Sequence, residues 1–340
     1  MRAIRFLLFP FAVLYDLITT IRNYFYDRGV FKSTSFDIPV IAVGNLSVGG
    51  TGKTPQIEYL IRLLQKGEKV AVLSRGYKRK TEGFVLINQS HTAVDVGDEP
   101  LQFFKKFPTI SVAVDANRVN GIQELQKLVN PDVILLDDAF QHRKVKADYY
   151  ILLTKYDDLY SDDFILPTGN LRESKRGAKR ADVIVVTKCP KNLSEASQKK
   201  IIKKLKPIQS QQVFFSAIHY HKELGGKRVI SLNELNEYEI ILITGIANPM
   251  PLLAFLDEKG CKVHHQNFSD HHHFTSFEIK KIQAKFEKLK SKKRLLLTTE
   301  KDYMRLSNRM DGLHYLEIES QFLNDQQDLN EKIFKSLKSN

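Results

Sequence analysis

Gly44-Asn-Leu-Ser-Val-Gly-Gly-Thr-Gly-Lys-Thr-Pro55 follows an apolar, β-branched run, Ile38-Pro-Val-Ile-Ala-Val43, and precedes Ile57, Leu60, Ile61 and Leu64 at helical spacing. The run before it reads as a buried parallel strand, and Pro55 sits where a first helical turn tolerates proline. Strand, glycine-rich loop, Gly-Lys-Thr and helix form the context that a phosphate-binding loop needs. Glycines let backbone N–H groups turn toward phosphate oxygens with no Cβ in the way, and the helix N-terminus adds partial positive charge. The expected nucleotide contacts are Ser47, Val48, Gly49, Gly50, Thr51, Gly52, Lys53 and Thr54. Lys53 would reach the β- and γ-phosphates, and Thr54 would ligate Mg²⁺. Ser47 stands where the common pattern begins with glycine, so the match is to the Gly-Gly-Thr-Gly-Lys-Thr core. The plainer alternative is a tight turn bearing a surface lysine. The loop is read as a nucleoside triphosphate site.

The chain of 340 residues is 42% apolar and carries a net charge of +13. That length supports two lobes. The charge suits acidic substrates, anionic lipid or nucleic acid. The basic residues form no cluster interleaved with aromatics, which argues against nucleic acid. Cys189 and Cys261 lie far apart without CxxC spacing, as reduced thiols of a cytosolic protein do.

The N-terminal stretch differs from the rest. Phe6 to Ile21 is apolar and aromatic, with Arg2 and Arg5 before it and Arg22 and Arg28 after. A spanning helix wants ~20 apolar residues, and this run is shorter and interrupted by Pro10 and Asp16. Thr-Thr-Ile-Arg is a poor signal-peptide cleavage site. The expectation is a helix lying in, or dipping into, a membrane surface, its arginines meeting anionic headgroups. A core helix packed on the nucleotide domain is the alternative. Residues 1–28 are assigned to this segment, 29–220 to a phosphate-loop core and 221–340 to a smaller α/β lobe.

Further apolar runs at Lys69–Ser74, Thr109–Val114, Asp132–Asp137, Tyr149–Leu153 and Asp182–Lys188 alternate with helical stretches. Such alternation builds a parallel sheet with helices on both faces, and sites collect at the carboxyl ends of its strands. Phe84–Ile87 reads as a hairpin-like piece. Asp132-Val-Ile-Leu-Leu-Asp-Asp138 has the form of a Mg²⁺-organising strand. Asp98, in Val96-Gly-Asp-Glu-Pro100, opens into a helix and is either a cleft carboxylate or an N-cap. Arg172 and Glu173 are a solvated pair, or an arginine for the transferring phosphate beside a carboxylate for metal. Five of the ten histidines fall between Lys262 and Phe274. Their spacing gives no helical His-x-x-x-His pair, so an Asp-His pair for proton transfer is preferred to a transition metal. Arg294–Asp302 reads as the last strand, and nothing beyond about 320 carries a pattern.

Taken in order, these stretches resemble the tetraacyldisaccharide 4′-kinases of lipid A biosynthesis. The resemblance rests on Arg22-Asn-x-x-Tyr-Asp-Arg-Gly29, Val43–Pro55, Ser74-Arg-Gly-Tyr77, Val96–Pro100, Asp137-Asp-Ala-Phe-Gln-His-Arg143, Pro167-x-Gly-x-Leu-Arg-Glu173, Asp270-His-His272 and Thr298-Thr-Glu-Lys-Asp302. Ala139 replaces the family's usual glycine, and Ser174 a frequent proline. The resemblance implies an α/β fold with a P-loop NTPase-type parallel sheet core, a smaller C-terminal α/β lobe and an N-terminal membrane-associated helix. It implies ATP-dependent phosphorylation of the 4′-hydroxyl of an acylated glucosamine disaccharide 1-phosphate at the cytoplasmic face of the bacterial inner membrane. By the same resemblance Asp98 is the base, oriented by a histidine of the Asp270-His271 pair and here taken as His271. Arg172 faces the phosphates, and Asp137, Asp138, Thr54 and Glu173 surround Mg²⁺. The rival class is a switch ATPase or GTPase; Thr298-Thr-Glu-Lys-Asp302 only faintly suggests a guanine reader.

Overall fold

The computed structural model describes residues 5–338, which leaves Arg2 outside. A 3₁₀ turn, Phe6–Leu8, leads into helix α1, Phe9–Asp27. Pro10 lies in the first turn, where its missing N–H costs nothing, so it starts the helix. The expected interruptions at Pro10 and Asp16 are not seen. Phe6–Asp27 is the one stretch among the described residues long and apolar enough to cross a membrane. Within α1 only Ala12 and Thr19 are buried. The helix is therefore not a core helix.

The chain then alternates through β1 Val40–Asn45, α2 Lys53–Leu64, β2 Val70–Ser74, β3 Val85–Leu86, α3 Asp98–Lys106, β4 Ser111–Val114 and α4 Arg118–Leu128. It continues with β5 Val133–Asp137, β6 Tyr149–Lys155, β7 Val183–Thr187, α5 Glu195–Leu205 and β8 Gln212–Tyr220. These strands order as β8-β7-β6-β1-β5-β2-β4-β3, all parallel except β3. The hairpin expected at Phe84–Ile87 is instead an edge strand, β3, paired antiparallel to the distant β4. In β1 the two-residue period sends Ile41 and Val43 to one face and Val40 and Ala42 to the other. Both faces are covered, which is why the parallel strands read as unbroken apolar runs.

A second sheet follows from β9 Glu223–Gly226, β10 Ile230–Ser231, β11 Glu239–Thr244, α6 Met250–Glu258, β12 Lys262–Asn267, α7 Ser276–Glu287, β13 Arg294–Thr299, α8 Glu300–Leu306 and β14 Leu313–Leu316. Its order is β10-β9-β14-β13-β11-β12, with a parallel centre. The chain then returns. β15, Ile318–Phe322, pairs antiparallel with β8 as the outer strand of the large sheet. Helix α9, Gln326–Leu337, buries Leu329 and Ile333 in the core shared with α2. Residues 221–340 are thus not one unit: β13 is not the last strand, and the chain after Glu317 completes the large sheet.

Candidate active site

The phosphate-loop geometry begins at Gly44, where an added Cβ would lie 2.7 Å from Cβ of Phe140. Only glycine allows the turn after β5 to approach the start of the loop so closely. Gly52, at φ +86°, caps α2 in the left-handed region and turns Lys53 into its first residue. Lys53 Nζ lies 3.5 Å from Asp138 Oδ1 and 3.4 Å from Asn45 Oδ1. The back of the loop is tied to the end of β7: Thr187 Oγ1 donates to the carbonyl of Thr51 at 2.8 Å, and Lys188 Nζ to that of Gly50 at 2.8 Å. Ser47 and Thr51 are buried, Val48 is exposed and Thr54 is half-buried in the first turn of α2. The buried Thr51 Oγ1 has no hydrogen-bond partner among the described residues.

Asp137 ends β5 and accepts a hydrogen bond from Ser74 Oγ at 2.9 Å. Burial, then the neighbouring charge of Asp138, pushes its carboxyl up to about 6. Asp138 sits at φ +49°, a conformation a non-glycine residue adopts only when its surroundings enforce it. Burial pushes its carboxyl up, but Lys53 and Arg172 outweigh that and hold it below its ordinary value. Arg172 Nη1 lies 3.1 Å from each Asp138 oxygen. Asp137 and Asp138 at the end of β5, with the Thr54 hydroxyl in the first turn of α2, are the hard oxygen donors that suit a cation such as Mg²⁺.

Glu173 is differently placed. Its Oε2 accepts from Asn23 at 2.7 Å and Arg180 at 2.9 Å, and its Oε1 from Arg180 at 2.8 Å and Gln141 at 3.0 Å. Four donors fill the lone-pair positions of a carboxylate. Glu173 would have to release a donor before it could bind metal.

Asp98 is the first residue of α3 and does not cap it; the N-cap is Gly97. Its Oδ2 lies 2.8 Å from His271 Nδ1, and its Oδ1 accepts from Arg305 Nε at 2.7 Å, while Arg305 Nη2 reaches Oδ2. His271 Nε2 lies 3.0 Å from Lys301 Nζ, which also meets Glu99 at 2.9 Å. An ammonium can only donate and the Asp98 carboxylate can only accept, so Lys301 and Asp98 place the proton of a neutral His271 on Nδ1; Arg305 Nη2 lies 3.1 Å from that nitrogen and donates to Asp98 beside it. His272 turns instead to Glu278, at 3.1 Å. Burial pushes Asp98 up, but Arg305 and then His271 hold its carboxyl well below the usual carboxylate range. Asp98 belongs to the large sheet's lobe, and His271, Lys301 and Arg305 to the smaller one. The turn after β2 links this cluster to the acid pair: Ser74 bonds Asp137, and Tyr77, three residues on, packs edge-on against the His271 ring at 5.3 Å.

Asn45, Ser74, Arg118, Lys301 and Arg305 join the site without any role that the sequence alone displays. The buried Arg118 donates to the carbonyls of Asp115 and Asp137 and so braces the end of β5. Asn45, Ser74 and Lys301 lie inside stretches quoted for the phosphate loop and the resemblance, whereas Arg118 and Arg305 lie outside them. A further cluster joins the lobes. Lys106, ending α3, lies 2.7 Å from Glu58, 2.9 Å from Glu300 and 2.7 Å from Glu317. Helix α8 thus grips α3 at both ends, through Arg305 and through Glu300.

The family described as Tetraacyldisaccharide-1-P 4′-kinase matches residues 4–338. A tetraacyldisaccharide 4′-kinase of Flavobacterium johnsoniae is 56% identical over 100% of this chain and 99% of its own. Its counterpart in Bacteroides thetaiotaomicron is 44% identical over 94% of this chain and 90% of its own. Among solved structures, "apo" form LpxK from Aquifex aeolicus in complex with ATP aligns with a TM-score of 0.80 at 30% identity, covering 98% of this chain and 99% of that one. The fold, the phosphate loop and these full-length matches agree: the chain belongs to the tetraacyldisaccharide-1-P 4′-kinase family.

Proposed function

We propose that the phosphate loop and the Asp98–His271 pair divide the labour of one phosphoryl transfer. The activity is ATP-dependent phosphorylation of the 4′-hydroxyl of a tetraacyldisaccharide 1-phosphate, a step of lipid A biosynthesis. A sugar hydroxyl is a weak nucleophile at neutral pH, so a carboxylate that takes its proton helps it attack the γ-phosphorus in line. The observation that carries the reading is Asp98: buried, and paired across the two lobes with His271 at 2.8 Å. Lys53 and the backbone of residues 47–54 hold the triphosphate of ATP, and Arg172 balances charge on the transferring group. Thr54, Asp137 and Asp138 hold Mg²⁺, with Glu173 behind them, braced by Asn23, Gln141 and Arg180. Bound there, the ion neutralises phosphate charge.

The apolar face of α1 lies on the cytoplasmic face of the inner membrane, where the acyl chains of the substrate reside. Phe11, Leu14, Leu17 and Ile18 are more than half exposed to solvent, an arrangement costly in water and favourable in lipid. The test is to incubate pure protein with ATP, Mg²⁺ and a tetraacyldisaccharide 1-phosphate, and look by mass for one added phosphate. Lys53→Ala should abolish that product in a folded protein. Hydrolysis of ATP at full rate without the acceptor would instead favour a switch ATPase.

A further inference from the structure

The carboxylate of Asp98 is gripped from the opposite lobe by a residue outside every motif the sequence displays. Arg305, at the end of α8, has a side chain only 8% exposed, and its fork engages both Asp98 oxygens, Nε on Oδ1 and Nη2 on Oδ2. Its remaining nitrogen, Nη1, lies 3.3 Å from the carbonyl of His272 and 3.3 Å from Asp302 Oδ1. The guanidinium is therefore fixed by the same loop that presents His271 and by its own helix. Asp302 is in turn bound to Gly245 N–H at 2.9 Å and to Thr299 Oγ1 at 2.8 Å. Around Asp98 stand Glu99 on α3, Asp270 and His271 on the loop after β12, and Lys301, Asp302 and Arg305 on α8; Tyr77 packs edge-on against the His271 ring at 5.3 Å.

Lone pairs decide what this grip is for. Each carboxylate oxygen offers two acceptor positions. Oδ2 uses both, for His271 and Arg305 Nη2, whereas Oδ1 uses one, for Arg305 Nε, among the described residues. We propose that Arg305 is a positioning residue for the phosphoryl transfer, fixing the plane of the Asp98 carboxylate so that the free lone pair of Oδ1 takes the proton of the acceptor hydroxyl. The inference rests on Asp98 being the base. As the 4′-oxygen bonds to the γ-phosphorus, its O–H bond breaks and the proton passes to Oδ1. The bond from the γ-phosphorus to its bridging oxygen breaks, and that electron pair leaves on ADP. A guanidinium makes Asp98 a weaker base than a free carboxylate, but keeps it ionised and held in one orientation. Lysine would supply the charge without the fork. That difference makes the role testable.

The experiment compares Arg305→Lys and Arg305→Gln with wild type, using ATP, Mg²⁺ and tetraacyldisaccharide 1-phosphate in mixed micelles, with nucleotide affinity and melting temperature alongside. Loss of orientation should lower kcat by about 10²-fold in Arg305→Gln and by at least about tenfold in Arg305→Lys, with ATP affinity nearly unchanged. The ratio of kcat/KM, variant to wild type, cancels groups common to both. It should fall toward acid pH in Arg305→Gln, as the buried Asp98 regains its proton, and stay flat in Arg305→Lys, which keeps a cation. Wild-type kcat in Arg305→Lys would reduce the role to charge alone and overturn the proposal. A pH-independent ratio in Arg305→Gln, with a lowered melting temperature, would make Arg305 merely structural and overturn it too. Asp98→Asn, run beside them, separates the two layers. An active Asp98→Asn enzyme removes the base itself, whereas an inactive one with an unmoved Arg305→Gln profile removes only the role given to Arg305.

Discussion

Asn23, on helix α1, donates its side-chain amide to Glu173 Oε2 at 2.7 Å. Tyr15, two turns earlier, donates to the carbonyl of Arg172 at 3.0 Å, and Arg5 reaches the Pro167–Asn170 loop. The helix that would meet lipid therefore holds the loop that carries Arg172 to Asp138.

Replacing Asn23 by Ala should loosen that hold. A buried carboxylate that loses one donor is destabilised by about 1–3 kcal/mol, and Arg172 sits on the neighbouring residue. The expected outcome is a roughly tenfold lower kcat with vesicle binding intact. Unchanged kcat would mean that α1 and the loop are merely adjacent.

Leu14→Asp with Ile18→Asp probes the other face of α1, since these side chains are 54% and 56% exposed and make no polar contact. Each apolar side chain buried in lipid contributes about 1.5–3 kcal/mol. Co-sedimentation with anionic vesicles should fall at least about tenfold, with the melting temperature unmoved. This pair is cleaner than deleting residues 1–25, which would also remove Arg5, Arg22 and Asn23 from their partners. Full vesicle binding by the double variant would place the lipid contact elsewhere.

Asp98→Asn should cost roughly 10²–10⁴ in kcat while sparing ATP binding. The amide keeps one acceptor oxygen for Arg305, so the protein should still fold. His271→Ala should act in the same direction, and the double variant should be little worse than either single one if the pair works as a unit. Additive losses would separate the two residues.

Glu300 predicts a pH dependence of stability. Three carboxylates, Glu58, Glu300 and Glu317, face two cations, Lys106 and Arg62, and Glu300 touches only Lys106 of these. Burial, then the charge of Glu58, pushes Glu300 up to about 8. Between the ordinary glutamate value and about 8 the folded state binds the extra proton, so stability falls as pH rises through that window. Glu300→Gln keeps the shape without the titration. Its melting temperature should decline less from about pH 5 to about pH 8, by on the order of 2 °C. Parallel curves would show that Glu300 titrates normally.

What the sequence displayed, and what it hid, follow from how far each signal reaches. β1, the glycine turn and α2 are one local pattern, and so are the other doubly buried strands, Val133–Asp137 and Val183–Thr187. β15 escaped because it is an edge strand, Ile-Glu-Ser-Gln-Phe, whose alternation is short and whose partner β8 is far away in sequence. Helix α9 has only Leu329 and Ile333 fully buried, a stripe too narrow to stand out. Asp98 and His271 were legible as chemistry, but their meeting is a property of the two lobes together. Arg305 looked like any helix arginine because its meaning comes entirely from what lies opposite. Glu173 shows the reverse: a residue type fit for metal, with its lone pairs already taken.

The return of the chain to β8 has a consequence for how the molecule is made. β15 is translated only after all of the smaller sheet, residues 223–316, has left the ribosome. Until then β8 is an open edge, with unpaired backbone groups and the apolar flank of α2 uncovered where α9 will lie. The smaller sheet, contiguous in sequence, can form first, whereas the nucleotide-binding sheet must wait with its border exposed. A nascent chain arrested before Ile318 should therefore expose its phosphate-loop half to proteases and holdase chaperones, and the lobes are completed in the reverse of the order in which they begin along the sequence.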